Sequence, residues 1–264
     1  MKLLFSEASQ DYQNYIFPYV IWGLPEKDDS IADIFAKGFL PSGSSLEKFY
    51  LCRNARVDLQ SFKLSSENRR ILRKCENISY RLVDRDSWNY TEKRRQFFKN
   101  YTDVKFGKKT MSFERLDNIF EGNIATDLLV FEDREKESEV GTVVLLTVRD
   151  KMSFFYFSFY DLDYSKQSLG MYMMTRAVQL FKDMNHDYIY LGTVYSRESL
   201  YKTNFSSIEF FNGIEWTRDM KQLKSLIDRS TGHHDHHLLE SEEFLKAYYP
   251  GGYTDLSDKS HFQS

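Results

Sequence analysis

Residues 152–216 read MSFFYFSFYDLDYSKQSLGMYMMTRAVQLFKDMNHDYIYLGTVYSRESLYKTNFSSIEFFNGIEW. An aromatic strand is expected over 153–159. It runs into the polar turn Tyr160-Asp161-Leu162-Asp163-Tyr164-Ser165. Apolar residues then recur at 169, 173, 174, 177, 178, 180 and 181, which is helical spacing, with Ser168 as the expected N-cap. A second strand is expected over 188–192. Strand, turn, helix and strand make a βαβ unit, and such units take ligands at the C-terminal ends of their strands. The chemistry is therefore expected near 160–170.

Upstream lie two further strands, over 127–133 and 140–149, joined by a charged hairpin turn. Three strands in succession, then a helix and a strand, predict a mixed sheet, first antiparallel and then parallel. This is the order of the GNAT-like acetyltransferase fold, so the class expected is mixed α+β and α/β, a sheet flanked by helices with an N-terminal α+β region. Downstream, 208–211 is expected to turn back at Asn212-Gly213, a strong hairpin pair, and a helix to cover 218–229. Nearer the start, Ser30 is expected to cap a helix over 31–37 that Gly38 stops, followed by a loop over 39–45. Strands over 49–52 and 56–59 would be linked by Asn54-Ala55. Helices are expected from Ser65, over 87–102 and over 112–120, with a strand over 80–83. The organisation expected is a basic α+β region over 1–109, an acyltransferase-like domain over 110–229 and a polar tail over 230–264.

The chain has 264 residues, 41% of them hydrophobic and 16% aromatic, enough for a substantial core. No apolar run is long enough to cross a bilayer, and the first residues turn polar at once, unlike a secretory signal. With Cys52 and Cys75 the only thiols, a reducing cytoplasm is expected and no membrane partner. Net charge is −3, but residues 48–109 hold 17 Lys/Arg against 7 Asp/Glu. A basic segment in an acidic chain is the footprint of polyanion binding, or else a solvated face that acidic neighbours neutralise. His233, His234, His236 and His237 lack the spacing of a closed metal site, so no metal is expected.

Three segments together resemble the arginyl-/leucyl-tRNA–protein transferases, the N-end rule aminoacyltransferases. Residues 49–74, FYLCRNARVDLQSFKLSSENRRILRK, resemble the family's cysteine, Arg-Val, phenylalanine and Ser-x-x-x-Arg-Arg helix. Residues 159–172, FYDLDYSKQSLGMY, resemble its Phe-Tyr-Asp-Pro-Asp…Ser-Leu-Gly-x-Tyr, with Leu162 where the family has proline. Residues 190–205, YLGTVYSRESLYKTNF, resemble its Tyr-Leu-Gly-Tyr-x-Ile…Tyr-Lys-x-x-Phe, with Thr193-Val194 in place of the family's pair. The paired cysteine beside Cys52 is absent, and no cofactor is implied. The resemblance implies transfer of an aminoacyl group from aminoacyl-tRNA to the N-terminal α-amine of an acceptor protein.

Such a transfer starts from an activated ester. The enzyme must align an amine, take its proton and stabilise an oxyanion. Asp161, Asp163 and Tyr160 are the expected catalytic group, although an aspartate after a strand also serves as an Asx-turn cap. For the tRNA donor, Arg69, Arg70 and Arg73 on one helix suit phosphates, and the resemblance adds Tyr201 and Lys202. Gln167, Ser168 and Gly170 would form an anion site at the helix start. A CoA enzyme would show a small residue where this chain has Tyr172, whose bulk is expected to obstruct CoA. The rival readings are a CoA-dependent N-acyltransferase and a non-catalytic tRNA-binding relative.

Overall fold

The structure is a computed structural model and describes residues 1–13, 16–230, 237–260 and 262. In chain order its elements are β1 (Lys2–Glu7), β2 (Tyr19–Leu24), α1 (Ile31–Ala36), β3 (Phe39–Pro41), β4 (Phe49–Leu51), β5 (Asn54–Asp58), α2 (Ser66–Lys74) and β6 (Ile78–Asp84). Then follow α3 (Glu92–Phe106), α4 (Phe113–Glu121), β7 (Asp127–Asp133), β8 (Ser138–Val148), β9 (Met152–Tyr160), α5 (Leu169–Asp183) and β10 (Tyr188–Thr193). The chain ends with β11 (Ile208–Phe211), β12 (Trp216–Thr217), α6 (Met220–Ser230), α7 (Glu242–Tyr248) and α8 (Tyr253–Lys259).

An eight-stranded mixed sheet runs in the order β12-β11-β5-β10-β9-β8-β7-β6. Strands β6 to β9 are antiparallel neighbours, and α5 carries the chain from β9 to its parallel partner β10. The antiparallel-then-parallel order expected from the sequence is present. Side chains on β7 alternate across the sheet, as the two-residue repeat of a strand requires. Leu129 and Phe131 pack with α5, while Leu128 and Val130 pack with Phe98 of α3 and Leu116 of α4. A third cluster joins α1 and the four-stranded sheet β1-β2-β4-β3 to Phe154 and Tyr190. Helices therefore cover both faces of the large sheet.

Local caps follow the expected chemistry. Ser30 Oγ accepts from the Asp33 amide, and Ser65 with Asn68 forms a reciprocal capping box. Gly38 ends α1 at φ +89°, and a side chain there would collide with the Phe211 ring.

Four expectations are corrected. Residues 39–41 form a strand rather than a loop, because Phe39 and Leu40 are buried and pair with Leu51 and Tyr50. Asn54 and Ala55 are not a link but the start of β5, and Cys52 and Arg53 join the two sheets. The break at 109/110 does not coincide with a boundary in the sheet. Strands β5 and β6, from the N-terminal side, pair with β10, β11 and β7. Residues 237–260 are more than a polar tail, since Phe244, Tyr249 and Leu256 are buried in the main core. Tyr249 Oη accepts from Asn212 Nδ2 at 2.7 Å.

Candidate active site

Strands β9 and β10 pair only through Met152–Tyr188, Ser153–Ile189 and Phe154–Tyr190. Beyond that they part, and each carries a bulge at the point of parting. Tyr156 is the extra residue between Phe155 and Phe157 in the β8–β9 register, and Leu191 the extra one before Gly192 in the β10–β5 register. Gly192 sits at φ +84°, a conformation that favours glycine, and so lets β10 turn away. The gap is the crevice that a parallel pair opens at its C-terminal ends.

Two adjoining cavities of about 450 and 250 Å³ occupy this gap and share Tyr101, Phe106, Ser158, Met174 and Tyr201. Helix α3 supplies Tyr101 and Lys105, α5 supplies Gly170 and Met174, and the turn Arg197–Thr203 supplies Glu198, Tyr201 and Lys202. The Tyr101 and Tyr160 rings lie 5.0 Å apart, and Lys105 Nζ sits 5.7 Å from the Tyr160 ring. Burial, reinforced by Tyr160, pushes the Tyr101 hydroxyl well above its usual range, and burial raises Tyr156 as well. At neutral pH these are proton-bearing hydroxyls.

Lys202 is half-buried, and its Nζ donates to the Thr193 carbonyl at 2.9 Å. Burial lowers its pKa to about 8, with Cys52 pulling weakly the other way. Desolvation disfavours the ammonium, so near neutrality Lys202 has an accessible free-amine form. Glu198 stands exposed at the rim, its carboxyl held below the usual range by its own backbone amide and Ser196.

Of the residues expected to be catalytic, Tyr160 lines the cleft, whereas Asp161 and Asp163 are not among its lining residues. Asp161 Oδ1 accepts from the Asp163 amide at 3.0 Å, and the Asp161 amide donates to the Val140 carbonyl at 2.8 Å. Asp161 therefore caps the 3-10 turn Leu162–Gln167, and Asp163 faces solvent. Ser168 is not a side-chain cap. It takes a left-handed conformation at φ +65° because the 3-10 turn runs straight into α5, and its hydroxyl makes no capping bond. Gln167 is tied down through its carbonyl, which accepts from Cys75 Sγ at 3.4 Å. Tyr160 lies over Gly170, where a Cβ would come within 2.9 Å of the ring. The start of α5 is thus roofed by Tyr160. Tyr172 does not obstruct it, for its ring is buried and its Oη donates to the Ile78 carbonyl at 2.6 Å.

The basic segment is answered in part inside the fold. Arg56, Arg70, Arg81, Arg85, Arg94, Arg95 and Lys99 all lie in ion pairs with carboxylates. Arg69, Arg70 and Arg73 are exposed on α2; Arg70 pairs with Glu67, and Arg69 donates to the Leu64 carbonyl. This helix adjoins the Lys202 turn, as Asn68 Nδ2 donates to the Asn204 carbonyl at 3.3 Å. Cys52 and Cys75 are buried free thiols, raised by burial to about 12 and 11. Most of the histidine cluster lies outside the described residues, and among the described residues no group of metal-ligating side chains converges.

Sequence reasoning missed Tyr101, Lys105 and Glu198. Tyr101 and Lys105 are four apart on α3, so they share a face of that helix. The spacing was visible, but not that this face meets the end of β9.

Residues 85–212 match the family model described as arginine-tRNA-protein transferase, C terminus. An aspartate/glutamate leucyltransferase from Ruegeria pomeroyi is 27% identical over 171 residues, covering 62% of this chain and 61% of that protein. One from Dinoroseobacter shibae is 27% identical over 180 residues, covering 62% of each chain. The matched region thus spans about three fifths of the length of these curated relatives. Among solved structures, L-PGS from Bacillus licheniformis aligns with a TM-score of 0.40 and 15% identity, over 62% of this chain and 51% of that one.

Proposed function

We propose that this chain, whose residues 85–212 match the arginine-tRNA-protein transferase C-terminal family, moves an aminoacyl group from aminoacyl-tRNA to the N-terminal α-amine of an acceptor protein. The observation that carries this reading is the cleft between β9 and β10, with half-buried Lys202 beside a group of protonated tyrosines. In this reading the acceptor nitrogen attacks the ester carbonyl carbon and a new amide bond forms. Lys202, as the free amine, takes the proton that nitrogen sheds. The carbon–oxygen bond to the terminal ribose breaks, and the ribose oxygen leaves as a hydroxyl with the proton that Lys202 took. Hydroxyls of Tyr101, Tyr160 and Tyr201 donate to the carbonyl oxygen as it gains charge. Asp161 is a positioning residue that fixes the turn after Tyr160, and Asp163 takes no part.

A CoA donor is disfavoured. Its pyrophosphate would need the start of α5, which Tyr160 roofs and where Ser168 is left-handed. Gly170 therefore serves this reading by giving the Tyr160 ring room rather than by holding phosphate, and Gln167 and Ser168 by shaping the turn before it. The relatives' name points to leucine as the cargo and acidic N-termini as acceptors. The product would bear a new first residue, the kind of mark that directs N-end rule degradation. Two buried free thiols suit a reducing cytoplasm.

The tRNA is assigned to the α2 face that adjoins Lys202. Changing Arg69, Arg70 and Arg73 together to glutamine is expected to weaken tRNA binding. The slope of log K against log salt is also expected to flatten, by about one for each phosphate that is no longer neutralised. Arg70 should contribute least, being paired with Glu67. Filter binding of a purified tRNA at several salt concentrations measures this, and unchanged affinity and slope would mean a merely solvated face.

A further inference from the structure

We propose that Arg53 is the residue that reads an acidic first side chain on the acceptor, a specificity role that rests on the aminoacyl-transfer reading above. Arg53 lies with Cys52 in the two-residue connection from β4 of the small sheet to β5 of the large one. It lines a cavity of about 430 Å³ together with Tyr19, Tyr50, Cys52 and Tyr195. Its guanidinium lies 4.9 Å from the centre of the Tyr195 ring, and its amide donates to Tyr195 Oη at 2.8 Å. Nη2 donates to Ser230 Oγ at 3.3 Å, but Nη1 is buried and has no hydrogen-bond partner among the described residues. No carboxylate pairs with Arg53 among the described residues.

Arg56, three residues on, shows what an arginine with a structural role looks like in this fold. Its Nε donates to Glu209 Oε2 at 2.9 Å, and its guanidinium lies 3.9 Å from the centres of both the Tyr188 and Trp216 rings. It is matched in charge and enclosed. Arg53 is stacked but not matched. A buried guanidinium N–H without an acceptor is costly, and an arriving carboxylate supplies both the acceptor and the opposite charge. A single cation between aromatic walls suits a monoanion such as the side chain of aspartate or glutamate.

The cavity adjoins the reaction cleft. Both reach the end of β10, where the Arg53 carbonyl accepts from the Val194 amide at 2.9 Å and the carbonyl of adjacent Thr193 accepts from Lys202 Nζ at 2.9 Å. An acceptor whose α-amine sits at Lys202 therefore has its first side chain within the neighbourhood of Arg53. An amide of the same shape would leave the guanidinium without a counter-charge, and that difference is the source of discrimination.

The test measures kcat/KM for transfer to peptides that begin with Asp, Glu, Asn or Gln but are otherwise identical. Wild type is compared with Arg53→Met, Arg53→Lys and Tyr195→Leu. The wild-type protein is expected to prefer each acid to its amide. Arg53→Met is expected to reduce that ratio by about ten- to a hundredfold, with Arg53→Lys and Tyr195→Leu intermediate. No preference for acids in the wild type would overturn the proposal, as would an equal loss for all four peptides in Arg53→Met. If Arg53→Met does not fold, the ratio in Tyr195→Leu decides alone. Calorimetric binding of the same peptides to the full chain without tRNA separates the two readings. Should no peptide be aminoacylated, tighter binding of the Asp peptide than the Asn peptide, lost in the Arg53 or Tyr195 variants, supports the subsite while the transfer reading fails. Equal binding overturns the subsite.

Discussion

Replacing Lys202 by methionine is expected to lower kcat/KM for aminoacyl transfer by about a hundred- to ten-thousandfold, the range over which a positioned acid or base contributes. Methionine keeps the apolar stem and removes only the amine. The fold should not suffer, because burial disfavours the charged lysine in the folded state. Its pKa there, about 8, lies below the ordinary value near about 10.4. The unfolded chain therefore binds more protons between these values, and wild-type stability rises as pH climbs from about 8 to about 10.4. The Lys202→Met variant has no amine to titrate and should lack this rise. The catalytic dependence follows from the same shift. If the free amine is the base, wild-type kcat/KM rises as pH passes upward through about 8. Lys202→Arg, charged throughout, should be slow at every pH. A Lys202→Met variant within a few-fold of wild type, with the same pH profile, would remove Lys202 from the mechanism.

The second large effect is on stability. Phe159 is fully buried on β9, its ring 4.5 Å from that of Phe98, 5.2 Å from Phe157, 5.8 Å from Phe120 and 5.9 Å from Tyr101. Changing it to alanine removes apolar surface from the centre of the layer between α3, α4 and the sheet. It leaves a cavity that flanking aromatic rings fill only in part. A loss of about 3–5 kcal/mol in unfolding free energy is expected, read from urea denaturation. Activity should fall too, since neighbouring Ser158 and Tyr160 line the cleft and Tyr101 rests on Phe159. A loss under about 1 kcal/mol would mean that the layer repacks and is not what holds the cleft walls.

What the sequence made legible was local. The strand over 127–133, the Ser65 cap, the stop at Gly38 and the Asn212-Gly213 turn each depend on a few adjacent residues. Long-range pairing was not legible. Residues 54–58 lie between strands more than a hundred residues downstream, and no local pattern encodes that partner. The same holds for the site. Tyr160 and Lys202 were found through their motifs, but of the carboxylates beside Tyr160 that of Asp161 holds a turn and that of Asp163 faces solvent. The burial of Lys202, which gives it its chemistry, depends on strands and helices that meet only in the folded chain. The tail misled for a compositional reason. Its histidines and acids hid Phe244, Tyr249 and Leu256, which dock on the core.

The central claim is transfer from tRNA, and it is tested most directly by offering the purified chain a set of labelled aminoacyl-tRNAs, leucyl and arginyl among them, with peptides of different first residues. Mass spectrometry then shows where the label goes. One added amino acid is expected on the peptide α-amine, dependent on the intact aminoacyl ester and lost with Lys202→Met. No addition from any tRNA, with turnover of acetyl-CoA in its place, would contradict it.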